Sequence, residues 1–123
     1  TDVIVGFPGE TDEEYRQTRD FIKKQAFSRL HVFSFSAHER TPAYIMPGQV
    51  DKNDIKSRSK DLRTLGESLE KMYIAKFTGE SLAVVIEDVG DLVRLKTEYF
   101  FDIFVKMDNL KKTDIGKIIK IIF

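Results

Sequence analysis

The chain has 123 residues, 41% hydrophobic and 33% charged, with 20 basic and 20 acidic side chains. That balance excludes a disordered or fibrous protein and leaves no excess charge for wholesale phosphate neutralisation. The absence of cysteine excludes disulfides, thiolate metal ligands and cysteine nucleophiles, and no segment has the length of a membrane helix or the pattern of a signal peptide.

Val3-Ile4-Val5 reads as a strand covered on both faces. The chain opens inside it without an initiator Met, as expected of a piece of a larger protein. Gly6-Phe7-Pro8-Gly9-Glu10 ends the strand in a glycine-rich turn that is neither a Walker loop nor GxGxxG. Thr11 and Glu14 form a capping-box pattern. The helix they open should run to about Gln25, burying Tyr15, Phe21 and Ile22. Leu30 to Phe35 reads as the next strand, so strand, capped helix and strand make a βαβ unit with parallel strands.

Ser36 to Val50 is a long loop at the carboxyl end of that strand, where α/β folds hold ligands. A second helix begins near Asp51 or Asn53. Its stripe of Ile55, Leu62, Leu65, Leu69, Met72 and Tyr73 has helical spacing, locally weakened by Gly66. Beyond Gly79 the period becomes two. Leu82 to Glu87, Leu92 to Lys96, Tyr99 to Val105 and Gly116 to Ile122 read as strands of a small antiparallel barrel. The expected division is therefore 1–78 and 79–123, α/β followed by all-β.

Residue chemistry alone is sparse. Asp2, on the same strand face as Ile4, needs a partner or a polar cavity. His31 reads as a packed histidine, and His38 as a loop residue within reach of a substrate. Glu10 is either a base or a favourable charge at a helix start. Arg94, Lys96, Lys106, Lys111, Lys112, Lys117 and Lys120 alternate with Tyr99, Phe100, Phe101 and Phe104, a mixture suited to RNA. Acidic residues in the same segment leave that reading open.

The ordered motifs carry a resemblance. TDVIVGFPGETDEEY at the start, FSRLHVFSFS from Phe27, Thr41-Pro42-Ala43, and KFTGESLAVVIE from Lys76 resemble the radical S-adenosylmethionine methylthiotransferases. The last of these is similar to the opening of their TRAM domain, an OB-like barrel. The LHVF wording resembles the branch acting on threonylcarbamoyladenosine beside the tRNA anticodon. The resemblance implies an intact cytoplasmic enzyme with S-adenosylmethionine and two [4Fe–4S] clusters, whose cysteines lie upstream of Thr1. This chain would then be the end of the radical barrel plus a TRAM domain, inactive alone and partnered by the rest of the protein and by tRNA. It implies that Ile4, Gly6, Phe35 and Ser36 face the adenosine of S-adenosylmethionine, and that Arg94, Lys96, Lys106 and Lys117 meet RNA. It supplies no catalytic side chain, no metal ligand and no membrane contact.

Ala37-His38-Glu39-Arg40 departs from the family's usual loop, and Tyr99 stands where an asparagine is usual. Two other readings are a non-catalytic RNA-binding module and the branch that modifies an aspartate of a ribosomal protein.

Overall fold

The computed structural model describes residues 1–123, which divide into two compact units, Thr1–Tyr73 and Ile74–Phe123. In the first, β1 (Asp2–Val5) and β2 (His31–Ser34) pair in parallel, with Asp2 opposite His31 and Ile4 opposite Phe33. Helix α1 (Asp12–Gln25) connects them. Thr11 Oγ1 accepts from the Glu14 amide while the Glu14 carboxylate accepts from the Thr11 amide, completing the capping box. The helix ends at Ala26, left-handed at φ 52°, whose amide donates to the Ile22 carbonyl.

Helix α2 (Lys52–Ala75) follows the long loop, which holds one 3-10 turn at Pro42–Tyr44. Asp51 caps it: its carboxylate accepts from the Asn53 amide and its carbonyl from the Ile55 amide. Both helices pack on one face of the strand pair. Val5, Ile22, Val32, Leu62 and Leu69 form the core, ringed by Val3, Tyr15, Phe27, Leu30, Ile55 and Leu65. Burying a side chain of the size of Leu62 contributes about 1.5–3 kcal/mol. Gly66 is buried on α2 because the helix passes close over Leu30; a Cβ there would lie 3.2 Å from Leu30 Cβ.

Three expectations need correction. The opening strand is covered on one face only, since Ile4 is 59% exposed while Val5 is fully buried. Phe21 is exposed, leaning on Phe27 at 6.3 Å between ring centroids, and Met72 is exposed as well. His31 is not a packed histidine: it lies on the open face, with its side chain 57% exposed.

The second unit is an antiparallel sheet in the order β5-β4-β3-β6, formed by β3 (Ser81–Val89), β4 (Val93–Thr97), β5 (Asp102–Val105) and β6 (Ile118–Ile122). Period two places Leu82, Val84, Ile86, Val93 and Leu95 on its buried side. A bulge between Ile86 and Asp88 bends β3. Phe101 closes one end, with Phe77 and Phe123 each 5.5 Å from its ring. The pairings stop at β5 and β6, so the expected barrel is present as a four-stranded sheet with two edges.

Tyr99 and Phe100 lie in a tight turn rather than in β5. Phe100 donates its amide to the Thr97 carbonyl, and buried Thr97 exchanges hydrogen bonds with Phe101.

Candidate functional site

Where β1 ends, the chain must reverse within a few residues to enter α1. Gly6 does this at φ 79° and Gly9 at φ 92°, in the left-handed region that disfavours other residues. The Glu10 side chain folds back, and its Oε2 accepts the Gly6 amide at 2.7 Å. The Glu10 amide donates to the Phe7 carbonyl, and the Gly9 amide to the Gly48 carbonyl of the long loop at 2.8 Å. Ile55 of α2 packs against the Cα of Gly6, where a Cβ would overlap it.

Arg58, one turn further along α2, is 7% exposed. Its Nη1 donates to Glu10 Oε2 at 2.7 Å and to the Glu10 carbonyl at 3.1 Å; its Nη2 donates to Asp12 Oδ1 at 2.7 Å. The guanidinium also lies over the Tyr15 ring, 5.3 Å from its centroid. Burial works against its charge, but the hydrogen bonds to Asp12 and Glu10 outweigh it and raise the pKa. Glu10 is therefore committed to Arg58 and the Gly6 amide, and it is neither a free base nor a mere helix-dipole charge.

Beside this cluster, Tyr15 donates to Asp61 Oδ2 at 2.6 Å and Arg19 Nε to the same oxygen at 2.7 Å. The Arg19 hydrogen bond, then that of Tyr15, hold the Asp61 carboxyl below its ordinary range. Desolvation, then Asp61, push the Tyr15 phenol up.

The face of β1 and β2 away from the helices is open and largely apolar. Ile4 and Phe33, 53% exposed, lie side by side on it. Phe35 extends the same row, its amide donating to the Val5 carbonyl and its ring meeting Phe7 edge-on at 5.1 Å. Ser36 is exposed just beyond. Of the four residues expected at a nucleoside, Ile4 and Phe35 thus lie along this face toward the carboxyl ends of the strands and Ser36 follows exposed, whereas Gly6 is buried against Ile55. At the opposite end of the same face, Asp2 finds its partner in His31 at 3.4 Å, both side chains more than half exposed. His38 is tied into its own loop: Nδ1 accepts the Arg40 amide, and its carbonyl accepts from Thr41. No group of three His, Asp or Glu side chains is placed to hold a metal ion.

In the second unit three of the four singled-out cations already have a carboxylate. Arg94 lies 3.3 Å from Glu87, and Lys117 lies 2.7 Å from Asp114. The Lys96 ammonium lies 2.6 Å from Asp102 Oδ1, an ion pair without a well-angled hydrogen bond at that oxygen. Lys106 is exposed and has no ion pair. Arg94 and Lys96 share the outer face of the sheet with Phe104, opposite Arg94, and with Ile118, 62% and 70% exposed.

Arg58 is the residue that sequence reasoning missed. Its only signal is position: an arginine three residues after Ile55 and four before Leu62 sits on the apolar stripe, where a charge must be paired.

No family profile matches the chain. It is 39% identical over 124 residues to a threonylcarbamoyladenosine tRNA methylthiotransferase of Bacillus subtilis, a match covering 98% of this chain and 28% of that protein. A ribosomal protein uS12 methylthiotransferase of Petrotoga mobilis is 31% identical over 127 residues, with 98% of this chain and 29% of the relative covered. A tRNA-2-methylthio-N(6)-dimethylallyladenosine synthase of Corynebacterium urealyticum is 34% identical over 90 residues, 73% of this chain and 17% of the relative. The chain therefore spans less than a third of the length of each of these relatives.

Proposed function

We propose a function on the premise that this chain belongs to the methylthiotransferase family. The intact protein adds a methylthio group to the threonylcarbamoyladenosine next to the anticodon of tRNA, in the cytoplasm. Residues 1–78 are the end of its radical S-adenosylmethionine barrel, and 79–123 its TRAM domain. The observation that carries this reading is the 39% identity over almost the whole chain to a relative of that activity.

The geometry supports the division of labour. An open apolar face ending in a glycine turn suits a nucleoside, and Ile4, Gly6, Phe35 and Ser36 are the residues we assign to the adenosine of S-adenosylmethionine. When bound, that cofactor supplies the methyl group and the adenosyl radical. Gly6, lacking a Cβ, leaves room for Ile55 behind the turn, while Ile4 offers an apolar surface in front. The iron–sulfur clusters find no fit here, because the chain has no cysteine and no metal-holding cluster. On this reading the segment alone has no activity, and any iron ligands belong to another part of the protein. Arg94, Lys96, Lys106 and Lys117 are assigned to RNA phosphates.

The experiment is mass spectrometry of tRNA nucleosides and ribosomal proteins from a strain lacking the gene. Loss of the methylthio group from threonylcarbamoyladenosine, restored by the gene, is the expected result. The ribosomal-protein branch is the second reading, favoured by a relative that covers the chain equally well. Intact tRNA modification with an unmodified uS12 aspartate would replace the first reading by the second.

A further inference from the structure

We propose that Arg58 of α2 is a positioning residue for the ligand-binding turn, acting through Glu10 on the backbone of Gly6. The inference rests on the reading that Ile4 and Gly6 face a nucleoside, and it deepens that reading by naming what holds them in place.

The connection is short and buried. Glu10 Oε2 takes two donors at once, the Gly6 amide at 2.7 Å and Arg58 Nη1 at 2.7 Å. The side chains of the ion pair are 8% and 14% exposed. A buried carboxylate with both donors in place has one low-energy orientation, and losing the guanidinium would leave it charged and unmatched. The Gly6 amide would then lose its fixed acceptor. Arg58 does not act alone, because Ile55, three residues earlier on the same helix face, closes on the Cα of Gly6. One helix turn thus grips the peptide two residues beyond Ile4.

A purely architectural role, fastening α2 to α1, is the competing account, and the molecule separates the two. The second arm of Arg58 reaches Asp12, in the first turn of α1, whose side chain is 76% exposed. That arm joins helix to helix at the surface, whereas the Glu10 arm reaches the turn.

The test uses the intact protein with S-adenosylhomocysteine as probe, titrated calorimetrically, and amide exchange of residues 6–10 as a second readout. Arg58→Met and Glu10→Gln should each weaken binding by about tenfold or more, by analogy with the partners that orient metal-binding side chains. Exchange across the turn should quicken in both, while exchange in residues 81–122 stays as in wild type. Asp12→Asn should change affinity by less than about twofold, as for an exposed pair. Arg58→Lys, which keeps the charge that Met removes but not the forked donor geometry, should restore part of the affinity. It also keeps the test alive if Arg58→Met does not fold.

Faster exchange with unchanged affinity would overturn the proposal, and so would an Asp12→Asn loss as large as that of Glu10→Gln. A wild-type protein that ignores the probe would remove the nucleoside reading itself. That outcome is distinguishable, because the exchange response of the turn would remain.

Discussion

Gly6 and Gly9 both adopt a left-handed backbone, yet their surroundings differ. A Cβ on Gly6 would press into Ile55, with Cδ1 only 2.7 Å away, whereas a Cβ on Gly9 meets nothing within 4 Å. Gly9→Ala should therefore cost only the conformational penalty, about 1–2 kcal/mol. Gly6→Ala adds overpacking and should cost about 2–5 kcal/mol in urea denaturation. Replacing Ile55 by Ala in the Gly6→Ala background should return part of that loss; no recovery would mean the overlap is relieved in some other way. Asp61 offers a test by pH. Its folded carboxyl titrates lower than its unfolded one, because Arg19 and Tyr15 donate to the ionised form. The cluster's contribution is thus complete above the unfolded pKa of about 3.9 and fades as pH falls toward the lower folded value. The melting-temperature gap between wild type and Asp61→Asn should be widest near neutrality and narrow below about pH 4. A gap that stayed constant into acid would show that the ionised form is not what the cluster holds.

Among the elements, those with local punctuation were legible in the sequence. The Thr11–Glu14 box placed the start of α1, and Thr11→Ala should lower stability by about 1 kcal/mol, measured by thermal melting followed by far-ultraviolet circular dichroism. The βαβ order and the switch from period 3.6 to period two were equally readable. What escaped was decided by distant contacts. Arg58 meets Glu10 across 48 residues, and nothing near it in sequence announces that. Whether β1 was covered on one face or two depended on where α1 and α2 landed, so the open face that carries Ile4 and His31 was not readable from the sequence. The start of β5 was misread because aromatic residues favour strands, while Glu98, Tyr99 and Phe100 form a three-residue hairpin loop. Such loops place their last residue in the left-handed region, usually as glycine. Here it is Phe100 at φ 66° and 81% exposed, fixed by the Thr97–Phe101 hydrogen bonds and by Tyr99 stacking on Phe77 at 4.3 Å. Phe100→Asn removes strain and little burial, so it should raise stability by about 0.5–1 kcal/mol in thermal melts. A loss instead would mean that the Phe100 ring makes a favourable contact.

On the scale of the whole molecule, 20 cations balance 20 carboxylates, so the proposed binding of tRNA would have to come from how they are distributed. In the second unit, phosphates would compete with Glu87 for Arg94, with Asp102 for Lys96 and with Asp114 for Lys117. Each exchange of a carboxylate for a phosphate gains less than an unpaired cation would, so the number of counterions displaced should be small. Lys106, which like Lys112 and Lys120 has no carboxylate to give up, is a site where a phosphate gains more than at Arg94, Lys96 or Lys117. For the intact protein and tRNA, Lys106→Ala should lower the slope of log affinity against log salt by about 0.7–0.9. Asp102→Asn should work in the opposite direction. It releases Lys96 on the outer face beside Phe104, and it should tighten binding and steepen the slope by up to about one. The sign is the decisive part, because most surface substitutions weaken an interface, whereas this one should strengthen it only if RNA lies on that face. Unchanged affinity and slope in Asp102→Asn would place the RNA elsewhere on the protein.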